Sequence, residues 1–289
     1  MKRMTISFVL LLCFVCLLSS CSHSPATKVK EPRKVVAASR SIADMWLLAG
    51  GTLCGTTDDA LDLEGVTEET QTIGTNTKLN LETIIALEPD LVLLSASIPT
   101  HITVASKLEE AGIACESIEV NSFDDYAQSM KVLTSMTGRE DLYDNAVSDV
   151  KMRIDAILQQ SIEVKDKTYL TIRISSTKTT AMKDEFFVCQ MLKDFSLSNA
   201  LQETDTNAFI GIEAMLDIDP DYIFIVAQGD EDKSQQLYQN AYASQSAWQA
   251  LKAVKENHVH ILPKDMFEYK PNAKWDEAYD YLYQILKKL

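Results

Sequence analysis

One phrase of the sequence occurs twice, and this repeat limits the possible folds more than any other feature. Residues 81–90 and 212–221 each place a glutamate seven residues before a proline, with an aspartate directly after the proline. Each phrase precedes an apolar run of the kind found in buried strands. A helix–proline–strand phrase can recur by chance in an α/β chain. The agreement of acid, proline and spacing nevertheless favours two lobes of similar construction.

The spacing of apolar residues predicts alternating strands and helices. A strand-like run at 34–39 is followed by helical spacing at 42–48, which stops at two consecutive glycines. A fully apolar run at 91–94 indicates a buried strand, and a further helix leads to a strand at 114–120. This alternation is typical of a parallel sheet covered by helices, so the predicted fold class is α/β.

Between the two halves, residues 139–162 contain neither proline nor glycine and keep a helical apolar stripe. At 1.5 Å per residue, such a helix would extend about 35 Å. We therefore expect two α/β lobes with central, mostly parallel sheets, joined by one long helix. The expected boundaries are 34–137 for the N-terminal lobe, 138–164 for the connecting helix and 165–289 for the C-terminal lobe.

The N-terminus has the pattern of an exported protein. Two cations, Lys2 and Arg3, precede an apolar run at 8–18. This run is shorter than the about 20 residues that a membrane-spanning helix needs, so it indicates a secretion signal. The run ends in Leu-Ser-Ser-Cys, which resembles the lipobox of bacterial lipoproteins.

Cys21 is therefore the expected lipidation site, with residues 1–20 as a signal peptide and residues 21–33 as a polar, proline-containing tether. The alternative is an ordinary secretory peptide that ends near a cysteine by chance. A lipid anchor would hold the chain on the outer side of a cell membrane, at the cell surface or in a periplasm.

The chain is acidic, with a net charge of −15 that becomes −17 once Lys2 and Arg3 leave with the signal peptide. This charge argues against a nucleic-acid partner, because phosphates require a basic surface. Beyond Cys21 three cysteines remain, at positions 54, 115 and 189, and their odd number and wide spacing predict no disulfide framework. At least one must stay free, and apolar packing is the expected role.

Several phrases follow one another along the chain in a specific order. They are residues 34–39 with the following helix; Ile73-Gly74 leading to Asn80-Leu81-Glu82 and Pro89-Asp90-Leu91-Val92; residues 108–113; Thr137-Gly138-Arg139; Pro220-Asp221; and Trp248 through Ala253-Val254-Lys255 to His258-Val259-His260. Together they resemble the substrate-binding lipoproteins of ABC importers for iron complexes, haem and cobalamin, which have the class III periplasmic-binding-protein fold. The resemblance implies two α/β lobes joined by one long helix, with the ligand in the cleft between them.

The resemblance also implies a role for the repeated glutamates. Glu82 and Glu213 match the family positions that lie on the tips of the two lobes and dock onto the permease. One carboxylate on each lobe can accept a bidentate arginine, which provides orientation as well as energy. The alternative is a pair of solvated acids that favour the N-terminal ends of their helices.

Polar residues that follow strand-like runs are the candidate ligand contacts, because ligands of such folds bind beyond the carboxyl ends of the strands. An arginine there suits an anionic ligand such as a carboxylate or catecholate siderophore. Each arginine fits an ordinary surface position as well, and Lys178 and Lys183 equally fit solvated positions in a loop. A histidine in the predicted loop after 91–94 could reach iron or haem, although lone histidines are more often structural. The predicted ligand-binding residues are Arg40, Asn76, His101, Arg173, Lys183, Gln228 and Tyr269.

Direct capture of a bare transition-metal ion is not expected, because it needs three or four converging ligands. His258 and His260 would share one face of a predicted strand, but in the family that strand is structural. No metal site and no resident cofactor are predicted, since iron would arrive as part of the ligand. The chain also lacks Gly-x-Ser-x-Gly, glycine-rich phosphate-binding and His-Glu-x-x-His motifs, so no enzymatic activity is predicted.

The expected function is capture of a ferric siderophore outside the cell and its delivery to an ABC permease dimer with its ATPase, by a monomeric lipoprotein. Haem or cobalamin is the alternative ligand within the same class. Haem would need an axial ligand such as His101, Met182 or Tyr269. The alternative from another class is a surface adhesin or sensor lipoprotein that binds no ligand.

Overall fold

Two separate β-sheets organise the chain. The structure is a computed structural model that describes residues 34–160, 164, 166–201 and 210–287. Its first seven strands are β1 (Val35–Ala37), β2 (Gly55–Thr56), β3 (Gln71–Thr72), β4 (Gly74–Thr75), β5 (Lys78–Leu79), β6 (Leu91–Ser95) and β7 (Cys115–Ile118). Five of them form a parallel sheet in the order β3-β2-β1-β6-β7, and β4 and β5 form a small antiparallel hairpin.

The second sheet is built from the later strands. These are β8 (Thr168–Ile174), β9 (Thr179–Met182), β10 (Ser198–Asn199), β11 (Tyr222–Ala227) and β12 (Val259–Leu262). The order β10-β8-β11-β12 is parallel, while β9 pairs antiparallel with β8. The prediction of an α/β fold with mostly parallel sheets is confirmed. We call the parts built on the first and second sheets the N-terminal and C-terminal lobes.

Helices connect and cover the strands of both sheets. The α-helices are α1 (Arg40–Leu48), α2 (Leu81–Ala86), α3 (Pro99–Glu110), α4 (Phe123–Thr137), α5 (Asp149–Leu158), α6 (Phe187–Asp194), α7 (Ile212–Ile218), α8 (Glu231–Tyr238), α9 (Lys252–Lys255), α10 (Lys264–Phe267) and α11 (Trp275–Leu286). Short 3₁₀ turns are Asp58–Ala60, Trp248–Ala250 and Asn272–Lys274, and π-helical turns are Asp144–Ser148 and Gln239–Ala243. Asn80 caps α2, because its side-chain oxygen accepts a hydrogen bond from the Thr83 N–H at 3.1 Å.

The repeated phrase has the same structural role in both lobes. It forms α2 and β6 in the first lobe and α7 and β11 in the second, and each of these strands pairs with the strand that opens its lobe. The repeated aspartate binds the start of that opening strand. Asp90 accepts a hydrogen bond from the Lys34 N–H at 3.0 Å, and Asp221 accepts one from the Thr168 N–H at 2.9 Å. The repeat therefore predicted the common construction of the lobes correctly.

One apolar core is shared by the two sheets. Alternate residues of a strand face opposite sides, so Val35 and Ala37 lie in the shared core whereas Val36 lies in a second core of the N-terminal lobe. From the other sheet, Tyr222 and Phe224 enter the same shared core. The aromatic residues packed together within it include Phe123, Tyr126, Phe187 and Trp275. Because this core is continuous, side-chain packing as well as the connecting chain holds the lobes together.

The helix between the lobes is shorter than predicted. Of the predicted span 139–162, the described residues are helical over 142–158, which is about 25 Å at 1.5 Å per residue. The helix does not begin at Arg139, because the N–H of that residue caps α4 by donating to the Thr134 carbonyl at 2.8 Å. Gly138 makes this turn possible with a left-handed φ of +67°.

The features predicted for the N-terminus lie outside the described residues. These are the signal peptide over 1–20, the lipidation site Cys21 and the tether over 21–33. In the part of the chain that the structure describes, no helix combines the length and the apolar character that crossing a membrane requires.

Three cysteines of the described chain are free thiols. Cys189 is fully buried in the shared core, while Cys54 and Cys115 are half-buried against the core of the N-terminal lobe. Burial raises the pKa of each thiol. All three thiols pack against apolar residues of the two cores, which is the role expected for them.

Candidate functional site

A cleft of about 750 Å³ lies between the two lobes. Residues that follow β1, β6 and β7 line it from the first sheet, and residues at the ends of β8 and β11 line it from the second. These positions are the carboxyl ends of parallel strands, where ligands of α/β proteins bind. The volume is typical of sites for small molecules. The cleft is therefore the candidate ligand site.

The lining of the cleft carries more positive than negative residues, although the chain has a net charge of −15. The cations are Arg40, Arg173, Lys178, Lys183 and Lys270, and the acids are Asp59, Glu119, Glu185 and Glu268. A local excess of cations in an acidic molecule favours an anionic ligand, because a cleft concentrates the field of its lining charges.

Arg40 lines the cleft, but its guanidinium is already paired. It donates to the Asp62 carboxylate and to the Asp59 carbonyl, and it lies 5.4 Å from the centre of the Tyr269 ring. The hydrogen bond from Arg40 lowers the pKa of Asp62. The alternative of an arginine paired to a neighbouring acid therefore describes Arg40 well, and it is less available to a ligand than an unpaired cation.

Arg173 and Lys270 face the cleft without an acid at ion-pair distance among the described residues, although Glu268 attracts the Arg173 guanidinium from farther away. Within the described residues, neither the Arg173 guanidinium nor the Lys270 ammonium forms a hydrogen bond or an ion pair. The guanidinium lies 6.0 Å from the centre of the Phe186 ring, and the ammonium lies 4.3 Å from the centre of the Phe187 ring. Burial lowers the pKa of both groups, and the nearby Arg173 helps to lower the pKa of Lys270 to about 7.

These two cations are the strongest chemical feature of the cleft. Partial burial and mutual repulsion both raise the free energy of the two cations in the ligand-free protein. An anion bound to both cations would offset both costs. The sequence predicted Arg173 but not Lys270. No local pattern marks Lys270, because folding brings it to Arg173 across 97 positions of the chain.

Gln228 and Tyr269 line the cleft from the C-terminal lobe, as predicted. Gln228 has a fixed backbone, since its N–H donates to the Ile174 carbonyl at 2.7 Å. The next residue, Gly229, donates its N–H to the Glu268 carboxylate at 2.7 Å. Burial raises the pKa of Tyr269 to about 12, so its hydroxyl is a neutral hydrogen-bond donor at physiological pH.

Asn76 and Lys183 also line the cleft. Asn76 lies in the turn between β4 and β5, and Lys183 directly follows β9. β9 pairs with β8 in the segment after Arg173, and Lys178 and Lys183 flank β9 at its two ends. Six of the seven predicted residues thus line one cleft, while their contact with a ligand stays a prediction.

His101 is the exception, and its predicted place in a cleft-facing loop is wrong. It lies in the first turn of α3 and is buried, with Nδ1 accepting a hydrogen bond from the Ser95 N–H at 2.9 Å. Its Nε2 therefore donates to the Asn76 carbonyl at 2.7 Å. Burial lowers the pKa of His101, so the ring stays neutral with both nitrogens engaged. Pro99 at the first position of α3 is a sequence signal for this helix start.

His258 and His260 lie outside the cleft, on the shared face that was predicted. His258 stacks on Tyr222 with ring centres 4.7 Å apart, and His260 lies against Phe224 at 5.7 Å. Both rings therefore belong to the packing of the C-terminal sheet. Among the residues described, no group of three or more histidine, cysteine or carboxylate side chains is placed to hold a metal ion.

Glu82 and Glu213 occupy matching places on the two lobes. Each is the second residue of its helix, α2 or α7, and each side chain is exposed. Neither carboxylate forms a hydrogen bond or an ion pair with another described residue. Both are available to a partner, and their docking role stays a prediction.

The chain is similar to known proteins over most of its length. It is 24% identical over 200 residues to the Iron-uptake system-binding protein of Bacillus subtilis (strain 168), a match that covers 68% of this chain and 62% of that protein. The chain thus matches less than two thirds of that relative. It is 23% identical over 264 residues to the Fe(3+)-citrate-binding protein YfmC of the same organism, covering 89% of this chain and 82% of that protein.

The fold is similar to that of solved structures. The crystal structure of Staphylococcus aureus IsdE complexed with heme superimposes with a TM-score of 0.73 at 20% identity, covering 88% of this chain and 98% of that chain. The family model described as "Periplasmic binding protein" matches residues 35–266, which include every strand of both sheets. The chain therefore belongs to the Periplasmic binding protein family.

Proposed function

We propose that this protein is the extracytoplasmic solute-binding component of an ABC importer and captures a ferric siderophore in the cleft between its lobes. The observation that carries the proposal is the pair of Arg173 and Lys270, which face the cleft without an acid at ion-pair distance among the described residues. A ferric siderophore built on carboxylate or catecholate groups is anionic. It can therefore pair with both cations through charge-assisted hydrogen bonds.

An iron chelate fits the cleft better than a bare iron ion does. The described residues offer no cluster of histidine, cysteine and carboxylate ligands, so the iron would keep the oxygen ligands of its chelator. Two relatives of the chain are named for iron uptake and for binding of ferric citrate. These names support an iron complex as the class of ligand.

Haem is the second candidate, because the cleft contains side chains of the types that ligate haem iron. Met182 and Tyr269 both line it. One solved structure of the same fold, that of IsdE, contains heme. His101 is not available for this role, because both of its nitrogens are engaged within the N-terminal lobe. The two unpaired cations favour the siderophore.

The proposal includes the other steps of transport. Cys21 would carry a lipid anchor on the outer side of the cell membrane, and Glu82 and Glu213 would dock the monomeric protein onto a permease dimer with its ATPase. Anchoring beside the permease would raise the effective concentration of the loaded protein. A ligand-free adhesin or sensor would have no use for two unpaired cations in a cleft, so transport is favoured.

Titration of the purified, detergent-solubilised protein with a ferric tricatecholate, ferric citrate, haemin and cobalamin tests the class of ligand. A ferric chelate is expected to bind at a one-to-one ratio, because its negative charge pairs with Arg173 and Lys270. Saturable quenching of the tryptophan fluorescence reports this binding. The metal-free chelator and an iron salt are the controls. A strong Soret band with haemin, without a response to either ferric chelate, would contradict the siderophore and support haem. Failure of all four to bind would contradict the proposal.

The affinity for an anionic chelate is expected to fall as the pH rises from 7 to 9. Lys270 has a pKa of about 7 in the empty cleft, because burial and Arg173 outweigh the attraction of Asp125 and Glu119. An anion binds the protonated lysine more tightly and therefore raises the pKa of Lys270. At a pH between the Lys270 pKa of the ligand-free protein and that of the complex, binding takes up a proton. The limiting slope is about tenfold in affinity per pH unit.

Lys270→Arg is the matched variant for this pH profile. Arginine stays charged throughout the range, so the affinity of the variant should not change with pH beyond any change in the charge of the chelate itself. Isothermal titration calorimetry at pH 6 to 9 measures both profiles. Identical profiles for the two proteins would show that Lys270 does not titrate with the ligand.

A further inference from the structure

A fully buried asparagine joins the two lobes beside the cleft. Asn272 belongs to the C-terminal lobe, and its side-chain amide donates to the Ser41 carbonyl at 2.9 Å and to the Asp44 carboxylate at 2.7 Å. Both acceptors lie on α1 of the N-terminal lobe. Two residues earlier, the Lys270 N–H donates to the Ser41 hydroxyl at 3.0 Å. Three hydrogen bonds thus fasten the segment 269–272 to α1.

The backbone conformation and the amide orientation of Asn272 both serve this contact with α1. Its φ of +52° lies in the left-handed region, which asparagine adopts more readily than most residues. Turning the amide over would place its oxygen against two acceptors, so the donors must face α1. The Oδ1 atom has no hydrogen-bond partner among the described residues, which is a costly arrangement for a buried amide. The hydrogen bonds from the amide N–H donors to α1 are therefore the reason for an asparagine at this position.

The fastened segment carries two groups of the cleft, Tyr269 and Lys270. The Tyr269 ring lies against Arg40, at the start of the same helix α1 to which the segment is bound. One wall of the cleft is therefore continuous across both lobes, formed by the first turn of α1 and by the segment 269–272. This wall depends on contacts between residues that are 228 to 231 positions apart.

The position of Lys270 is opposed by electrostatics. Its ammonium is partly buried and is repelled by Arg173 of β8, while Asp125 of α4 and Glu119 after β7 attract it more weakly. Burial and repulsion both favour movement of the ammonium into water. The hydrogen bonds from Lys270 and Asn272 to α1 act against that movement, because they hold the backbone on both sides of Pro271.

We propose that Asn272 is a positioning residue of the cleft, which fastens the segment 269–272 to α1 and so holds the Lys270 ammonium beside Arg173. The consequence for ligand affinity rests on the proposed function. The position of Lys270 in the ligand-free protein does not depend on that function and can be tested separately.

The measured pKa of Lys270 reports its position without any ligand. Asn272→Gly removes the amide and keeps a residue that accepts the left-handed conformation. We expect the Lys270 pKa, followed by NMR and assigned through the Lys270→Arg variant, to rise by at least about one unit as the ammonium moves into water. The affinity for a ferric tricatecholate at pH 7 is expected to fall about tenfold, as for the loss of one charge-assisted hydrogen bond.

Asn257→Gly is the matched control, because Asn257 has a similar left-handed φ of +59° but is exposed in the turn before β12. It should change neither the Lys270 pKa nor the affinity. Ser41→Ala removes the acceptor of the Lys270 N–H and should give a smaller rise of the same pKa. Circular dichroism shows whether each variant is folded.

An unchanged Lys270 pKa in folded Asn272→Gly would overturn the inference. If that variant does not fold, Asp44→Ala replaces it, because it removes one acceptor of the Asn272 amide, and an unchanged Lys270 pKa in that folded variant overturns the inference. A wild-type protein that binds no ferric chelate, while the pKa shifts occur as expected, would contradict the proposed function and leave the positioning role of Asn272 intact.

Discussion

Replacing Arg173 and Lys270 together by methionine is expected to lower the affinity for a ferric siderophore at least about 100-fold, because a hydrogen bond to a charged group contributes about 1.5–3 kcal/mol. The two cations influence each other, so the effects of the single variants need not add. The double variant is therefore the informative one. Fluorescence titration with the ferric chelate at pH 7 gives the dissociation constants of both proteins.

The same substitution is expected to leave the thermal stability of the ligand-free protein unchanged or to raise it. The folded protein lowers the pKa of Lys270 to about 7, through burial and through Arg173. A cation whose pKa is lower in the folded state destabilises that state below its unfolded pKa of about 10.4. Methionine removes this effect and fills a similar volume. Thermal unfolding at pH 7, followed by circular dichroism, measures the change.

Opposite changes in binding and stability separate a ligand-binding role from a structural one, since loss of structural residues would lower both. Lys107→Met with Arg139→Met is the matched control. It makes the same change in net charge at two exposed positions, and it should leave binding unchanged. If the cleft variant bound the ferric siderophore as tightly as the wild type, the ligand would have to lie outside the contacts of Arg173 and Lys270.

The parts of the fold that local patterns encode were predictable from the sequence. Apolar runs predicted β6 and β11, because strands buried on both faces need apolar residues throughout. The repeated phrase predicted two equivalent lobes. Asp90 and Asp221 give the physical reason for the repeat, since Asp90 binds the N–H of the residue directly before β1 and Asp221 binds the N–H of the first residue of β8. The connecting helix was predicted too long, because the apolar stripe does not reveal that Arg139 caps the preceding helix.

The cleft was predictable in part. Parallel strands end at one edge of a sheet, so residues at their ends converge there, and Arg40, Arg173 and Gln228 line the cleft for that reason. The other three predicted residues reach the cleft from other elements: Asn76 from the β4–β5 hairpin, Lys183 from the end of antiparallel β9 and Tyr269 from the segment after α10. Lys270 and Asn272 were missed, because their partners Arg173, Ser41 and Asp44 are far away in the chain. A contact of this kind depends on the packing of the lobes and leaves no periodic signal in the sequence.

Reversing the charge of both repeated glutamates, Glu82→Arg with Glu213→Arg, is expected to abolish uptake of the ferric siderophore. Truncating one partner of a charge pair at an interface costs about 2–5 kcal/mol, and reversal adds repulsion. The affinity for the ligand should stay at the wild-type value, because neither residue lines the cleft. Cellular uptake of labelled iron and titration of the purified variant measure the two quantities separately.

Glu110→Arg with Glu277→Arg is the matched control for net charge. Glu110 ends α3 and Glu277 lies in the first turn of α11, and both are exposed. If general negative charge attracts the permease, this control should reduce uptake as strongly as the variant of the repeated glutamates. If each repeated carboxylate instead pairs with its own arginine, the control should transport normally.

The single reversals test whether docking needs both lobes. A remaining carboxylate can attract the permease but cannot orient the protein on it, so Glu82→Arg and Glu213→Arg should each reduce uptake strongly. The apolar core shared by the two sheets gives a physical reason for two contacts. Because packing holds the lobes together, the spacing of the two carboxylates is set by the fold, and a permease dimer can match it with two fixed sites. Full uptake by the double variant would remove docking at these glutamates from the proposal and leave ligand capture in the cleft untouched.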